Sequence, residues 1–300
     1  MMSLARQYVR PEITALSAYP VADAAGLIKL DAMENPFPLP PALQAELAQR
    51  LASAALNRYP DPDGGGLKAR LKAAFAIPDN AAVLLGNGSD ELITLICQTL
   101  AHPGASLLSA EPSFVMYKMN AVFSSVQYVG VPLKPDFSLD LPAMLAAIAQ
   151  HQPAVVFVSY PNNPTGPRYA RAEVEALLDA APGLVVVDEA YTAFAEDSFM
   201  PLAGRHPKLV VMRTLSKLGL AGIRLGYMAG PADWINEFDK LRPPYNINVL
   251  TQTTALFALD HIAVFNEQAA LLRAERSRLL AALVAMPAVT AYPSEANFFT

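Results

Sequence analysis

Val155-Val156-Phe157-Val158-Ser159-Tyr160-Pro161-Asn162-Asn163-Pro164-Thr165-Gly166 leads, through a helical stretch at Arg171 to Ala180, into Leu184-Val185-Val186-Val187-Asp188-Glu189-Ala190-Tyr191. Two continuous apolar runs, each ending in polar residues and separated by a helix-length segment, read as a strand, a helix and a parallel strand. Neither run alternates apolar with polar, so both strands are expected to be covered on both faces. Sheets of this kind hold ligands at the carboxyl ends of their strands. The polar clusters after Val158 and Val187 fall at those ends.

The same alternation extends outward in both directions. Strands are predicted at Ala82 to Leu85, Ser106 to Leu108, Val126 to Val131 and Leu209 to Met212, with helices at Asp90 to Leu100, Phe114 to Phe123 and Leu141 to Ala149. Upstream, Ala42 to Leu56 and Leu67 to Phe75 read as helices on either side of a Pro- and Gly-rich loop. The first 40 residues hold Pro11, Pro20, Pro36, Pro38 and Pro40, with Pro41 directly after them, and read as an extended arm with short elements. Beyond Pro231 the pattern is mainly helical, with an apolar stripe from Leu271 to Val284. Val289 to Tyr292 and Asn297 to Thr300 read as the opening strands of a smaller domain that stops mid-strand, as if cut short. The expected division is an arm over 1–40, a large α/β domain over 41–245, and connecting helices with an incomplete α+β domain over 246–300.

Composition narrows the class. The 300 residues carry 22 basic and 27 acidic side chains, a net charge of −5, and no basic stripe of the sort nucleic-acid binders show. Hydrophobic residues are 53% and charged ones 16%, enough apolar surface for a large core. Mean hydropathy is +0.26, yet the longest apolar candidate for a span, Ala143 to Ser159, is interrupted by Gln150, His151, Gln152 and Pro153. MMSLARQYVRPEI at the start lacks the apolar core of a secretory leader, and Cys97 stands alone. A reduced, cytoplasmic enzyme without membrane or nucleic-acid partners is expected. His102, His151, His206 and His261 have no ligand-like spacing, so no metal site is expected. No Gly-x-Ser-x-Gly elbow is present.

Four clusters carry the chemistry. Gly86-Asn87-Gly88-Ser89-Asp90-Glu91 opens a helix after the first strand. Free amides at a helix start bind anions, although an ordinary strand-to-helix turn reads the same way. The cluster lacks the third glycine of a dinucleotide fingerprint and the Gly-Lys-Ser/Thr of a P-loop. The Asn162-Asn163 loop is stiffened by its prolines. Asp188 ends four apolar residues, where a carboxylate calls for a cationic partner. Arg213-Thr214-Leu215-Ser216-Lys217 then places an amine at the end of a buried strand, with Arg224 seven residues on. Desolvation lowers the pKa of such an amine and makes it a usable nucleophile. An anion cradle, an amide, a buried carboxylate beside Tyr191, and a lysine followed by an arginine together suit a ring cofactor bearing phosphate, basic nitrogen, phenolic oxygen and aldehyde. Pyridoxal 5'-phosphate has all four.

The set resembles the fold-type I pyridoxal-phosphate aminotransferases of classes I and II, and within them the histidinol-phosphate group. Leu30 to Pro36, Leu56-Asn57-Arg58-Tyr59-Pro60, Pro161 to Gly166, Thr214 to Lys217 and Pro243-Pro244-Tyr245-Asn246-Ile247-Asn248 carry the resemblance, which runs over essentially the whole chain. It implies that Lys217 anchors the cofactor covalently and moves the substrate proton, that Asp188 pairs with the ring nitrogen, and that Tyr191 and Asn163 meet the ring oxygen. Phe114 takes the place of a stacking aromatic that is often Tyr in the family. Ser89, Asp90, Ser216 and Arg224 are implied on the phosphate, with the Asp90 carboxylate turned away and Tyr59 arriving from a second subunit. A homodimer with shared sites is therefore expected.

For substrate, the resemblance implies Tyr19 on the phosphoryl group of histidinol phosphate, with Asn35 and Tyr245 lining the pocket. Tyr19 and Tyr245 read equally as an arm anchor and as packing. Transfer of an amino group between L-histidinol phosphate and glutamate/2-oxoglutarate is the expected activity. An aromatic aminotransferase or a threonine-phosphate decarboxylase is the alternative. A regulator built on such a domain would need a DNA-binding module, for which nothing basic is present. An inactive fragment with an intact cofactor cradle is a further reading.

Overall fold

The computed structural model describes residues 4–21 and 23–300, so residues 1–3 and Ala22 of the arm lie outside it. Seven strands form one sheet: β1 (Ala82–Asn87), β2 (Ser106–Glu111), β3 (Gln127–Pro132), β4 (Val155–Ser159), β5 (Leu184–Asp188), β6 (Leu209–Thr214) and β7 (Leu225–Gly230). Their order across the sheet is β1-β7-β6-β5-β4-β2-β3. All neighbouring pairs are parallel except those of β7, which runs antiparallel to β1 and β6.

The continuous valine runs have the predicted cause. Val156, Val158, Val185, Val187 and Val211 bury against one helical layer. Val155, Phe157, Val186, Val210 and Met212 bury against the other. In a pleated strand successive side chains face opposite sides, so a strand covered twice has no polar position. Each fully buried Val, Leu or Phe contributes about 1.5–3 kcal/mol. Helices α5 (Ser89–Thr99), α6 (Val115–Phe123) and α9 (Ala232–Asp239) cover the second face with Leu92, Tyr117 and Phe238. The first face is covered by α4 (Gly65–Ala74), α7 (Leu141–His151), α8 (Arg171–Ala180) and α10 (Val249–Asp260), through Leu71, Ile148, Leu177 and Ala258.

The arm contains two short helices, α1 (Leu4–Tyr8) and α2 (Pro11–Thr14), and is otherwise extended until α3 (Pro41–Ala52). It is pinned at several points. Arg10 donates to the Phe123 carbonyl (2.6 Å) and to Ser125, and the Asn297 amide donates to the Met33 carbonyl (2.9 Å).

Three expectations are corrected. No strand is predicted over Leu225–Gly230, yet β7 closes the sheet between β1 and β6. The segments Val289 to Tyr292 and Asn297 to Thr300 form no strand; Tyr292 N–H donates to the Thr300 carbonyl (2.8 Å), and a single such bond makes no ladder. The long helix α11 (Ile262–Val284) buries only Phe265 and Ala269, and its expected apolar stripe is exposed at Leu271, Leu279 and Val284.

Candidate cofactor site

The carboxyl ends of β4, β5 and β6, the turn after β1 and the residue before β7 meet at one edge of the sheet. The reversal of β7 makes this possible. Asn87 at the end of β1 pairs with Leu225 at the start of β7, and Thr214 at the end of β6 pairs with Gly226. Arg224 therefore enters at the same edge as Ser89 and Ser216. A cavity of about 490 Å³ lies there, lined on the arm side by Tyr19, Pro20, Val21, Lys29, Ala32 and Met33.

Asp188 ends β5 with 3% of its surface exposed. The Tyr117 hydroxyl donates to its Oδ2 (2.8 Å) and the Ala190 N–H to its Oδ1 (3.0 Å). Burial raises its pKa to about 6; the two donors pull it back, and the charges of Asp90 and Glu189 push it up. Among the described residues no lysine, arginine or histidine forms an ion pair with Asp188. A buried carboxylate without a counter-charge is costly.

Lys217 sits in a turn over Ser216–Leu220 directly after β6. Its ammonium donates to the Ala32 carbonyl of the arm (2.6 Å) and lies 5.6 Å from the Tyr191 ring centroid. Burial depresses its pKa, Arg224 and Lys29 add to that effect, and Glu34 and Asp90 oppose it. The Tyr191 hydroxyl accepts from Asn163 Nδ2 (3.0 Å). Burial, reinforced by the nearby Asp188, pushes this phenol well above its usual range. The neighbouring Asn162 is fully buried and holds the loop, donating to the Pro112 carbonyl and Thr165 and accepting from Ser113. Asn163 is thereby left facing the cavity.

The anion cradle is built from backbone. Gly88, at φ 83°, precedes α5 and offers its first-turn amides no side-chain cap. A Cβ on Gly226 would lie 2.7 Å from Gly88 C and Ser89 N, and one on Gly88 would lie 2.6 Å from Arg224 Nη2. Thr214 Oγ1 donates to Ser216 Oγ (2.9 Å), which faces Arg224 Nη1 at 3.5 Å. Uncapped amides, a hydroxyl and a guanidinium in one concavity suit a phosphate. The Asp90 carboxylate, expected to turn away, instead accepts from Arg224 Nη2 (3.1 Å). Opposite charges this close attract, so a phosphate and Asp90 would share one guanidinium.

Tyr19 and Phe114 line the same cavity. Tyr59, Tyr245 and Asn35 do not. Tyr59 is 80% exposed and stacks on Tyr245 with centroids 4.4 Å apart. Asn35 anchors the arm instead: its amide donates to the Leu218 carbonyl (3.2 Å) and Gln268 (3.0 Å), and its oxygen accepts from Phe37 N–H. An asparagine with its donors and acceptor engaged by protein has little left for a ligand.

Two features went unread in the sequence. Tyr117 lies three residues after Phe114, on the same side of a predicted helix, and that spacing could have brought it to the site. The buried Arg213–Glu189 pair (2.8 Å), also bonded to Ser198 and Phe199 N–H, fixes the backbone on either side of the cavity.

A lysine amine, a buried carboxylate lacking a cation, a tyrosine–asparagine pair and a phosphate cradle are the groups that pyridoxal phosphate calls for, and they surround one cavity. The residues present fit that group.

Comparison with known proteins agrees. Residues 25–300 match the family model for aminotransferase class I and II. The histidinol-phosphate aminotransferase of Chromobacterium violaceum is 71% identical over 295 residues, covering 98% of this chain and 83% of that protein. Histidinol-phosphate aminotransferase 1 of Ralstonia nicotianae is 57% identical over 97% of this chain and 79% of its own length. A crystal structure of the Sinorhizobium meliloti histidinol-phosphate aminotransferase in complex with pyridoxal-5'-phosphate superposes with a TM-score of 0.84 at 24% identity, covering 96% of this chain and 80% of that one.

Proposed function

Since the chain belongs to the aminotransferase class I and II family, we propose that it uses pyridoxal 5'-phosphate to move an amino group between L-histidinol phosphate and 2-oxoglutarate, within histidine biosynthesis. One observation of the site carries the reaction class: the Asp188 carboxylate, buried without a cation, shares a cavity with the desolvated amine of Lys217. The substrate follows the curated relatives.

When bound, pyridoxal phosphate supplies a protonated ring that draws electron density from the substrate α-carbon. The chain's part is to hold that ring and move one proton. Asp188 would hold the proton on the ring nitrogen, in the place where it now lacks a counter-charge. Tyr191 and Asn163, already bonded to each other, would meet the ring oxygen, and Phe114 would pack on the ring face. Ser89 and Asp90 N–H, Ser216 Oγ and Arg224 would take the phosphate. Lys217 Nζ, kept neutral more readily by its desolvation, would take a proton from the substrate α-carbon and return it one position away. The arm, held over the lysine by the Ala32 carbonyl, would exclude water. Tyr19, which lines the cavity, would meet the substrate phosphoryl group.

The arm (1–40), the large domain (41–245) and the segment after it (246–300) are proposed as working units. A homodimer is also proposed. The exposed Tyr59–Tyr245 stack lies outside the chain's own cavity, as a pair serving a second copy would. Leu27, Ile28 and Leu30 expose apolar surface along the arm, which a partner would cover. Among the described residues no helix is long and apolar enough to cross a membrane, and a cytoplasmic location is proposed.

The test is a spectral titration. Added pyridoxal phosphate should give the visible absorbance of lysine-bound cofactor; histidinol phosphate alone should bleach it, and 2-oxoglutarate should restore it. A band that histidinol phosphate leaves untouched refutes the substrate, and no band at all refutes the cofactor site.

A further inference from the structure

Tyr117 has no exposed surface. Its ring stacks on Phe157 (4.6 Å between centroids, 20° between planes) and meets Phe114 edge-on (5.7 Å, 86°). Phe114 and Tyr117 both come from the start of α6 and Phe157 from β4, so the phenol is clamped by two elements. Its hydroxyl donates to Asp188 Oδ2 at 2.8 Å, and the Ser159 hydroxyl is a further hydrogen-bonding neighbour of the phenol oxygen. The Ala190 N–H occupies Oδ1. Each carboxylate oxygen thus has one protein donor, and the plane of the group is set by both.

We propose that Tyr117 is a positioning residue for the cofactor ring: its hydroxyl fixes the Asp188 carboxylate in plane and favours its ionised form, so that the carboxylate meets the ring nitrogen as an anion. A hydrogen bond donated to a carboxylate favours the charged form. Burial acts the other way on Asp188, and its pKa of about 6 leaves the balance close to neutrality. The surrounding charged groups do not supply a substitute. Glu189, next on the chain, is paired with Arg213; Asp90 of α5 is paired with Arg224; and Lys217 donates to the arm. The phenols of Tyr191 and Tyr117 are both pushed well above their usual range by burial first, so Tyr117 stays a donor throughout the range in which Asp188 titrates.

The inference rests on the pyridoxal-phosphate reading, and the test separates the two. Cofactor affinity of the cofactor-free protein is measured by equilibrium dialysis across pH, beside the pH profile of turnover. In wild type, affinity should fall on the acid side with a midpoint set by Asp188. Tyr117→Phe keeps the stacked ring and removes the donor. It should move that midpoint up by roughly one pH unit and weaken affinity at neutral pH severalfold, while KM for histidinol phosphate stays within about twofold.

Site-specific 3-fluorotyrosine at position 117, a more acidic phenol and a stronger donor, should move the midpoint down. Opposite shifts from two ring-preserving changes are outside what a packing role would produce. An unchanged midpoint in folded Tyr117→Phe, or shifts of the same sign in both proteins, overturns the inference while the cofactor reading stands. Should Tyr117→Phe fail to fold, the fluorotyrosine shift decides alone. A wild-type protein that binds no pyridoxal phosphate overturns both.

Discussion

Replacing Asp188 by Asn should make the cofactor-free protein more stable while crippling the enzyme. Burial chiefly raises the carboxylate's pKa in the fold to about 6, from an ordinary value of 3.8. At about 1.36 kcal/mol per tenfold change in proton affinity, the ionised group costs the folded state on the order of 3 kcal/mol. The sign follows from proton binding. Below pH about 4 the group is protonated folded and unfolded, and nothing is lost. Between about pH 4 and 6 the unfolded chain ionises while the folded group stays protonated, so stability falls over that interval and stays low above it.

Asparagine is nearly isosteric, can accept from Ala190 N–H, can meet the Tyr117 hydroxyl with its amide, and never ionises. Urea unfolding of cofactor-free Asp188→Asn should therefore show a gain of about 1–3 kcal/mol at pH 7 that vanishes near pH 4. With cofactor added, turnover should drop on the order of 10²-fold or more, the scale for losing one charge aimed at the reacting system. A variant no more stable than wild type at pH 7 would refute the electrostatic reasoning, as would a gain that persists at pH 4.

Gly226→Ala places a Cβ 2.7 Å from Gly88 C and Ser89 N, backbone atoms with no freedom to swing aside. Pyridoxal-phosphate affinity by equilibrium dialysis should weaken at least tenfold, on the order of 1.4 kcal/mol, and wild-type affinity would contradict the cradle. Tyr59→Phe and Lys217→Ala should each impair their own protein. Mixed and reassembled, they should regain activity if each cavity draws Tyr59 from the other copy, because one hybrid site is then free of both lesions. No recovery in a confirmed heterodimer would place Tyr59 outside the site.

How much of this was readable depends on whether a residue's reason is local. Arg171–Ala180 forms a helix with the predicted bounds, and the valine strands appear where their runs stand, because burial on two faces leaves an unbroken apolar signature. That Lys217, Asp188 and Asn163 meet at one cavity is legible in the sequence, since each ends or follows such a strand, and strand ends are where these sheets bind ligands. The anchoring contacts of Asn35 are not legible in the sequence because their reason is distant: its amide bonds to Leu218 and Gln268, 183 and 233 residues away. The C-terminal segments failed for a related cause. Apolar β-branched and aromatic residues have strand propensity, but a strand needs a neighbour, and here Asn297 and Glu295 bond instead to Met33 and Gly166.

Strand β7 shows the failure at its sharpest. Leu225-Gly226-Tyr227-Met228-Ala229-Gly230 carries no predicted strand, and its two glycines weaken the strand signal and often mark a break. Both glycines are required by close approach. A Cβ on Gly226 would strike Gly88 and Ser89, and one on Gly230 would come within 2.7 Å of Val210 Cγ2 and 3.0 Å of the Leu209 carbonyl. The residues that hide the strand are those that let its backbone press against both neighbours. That contact matters beyond the sheet. Were β7 parallel to β1 and β6, its first residue would lie at the far edge and Arg224 with it, far from Ser89 and Ser216. The antiparallel insertion is the step that turns an ordinary parallel sheet into one whose binding edge carries a guanidinium beside a helix start, and therefore one that can hold a phosphate.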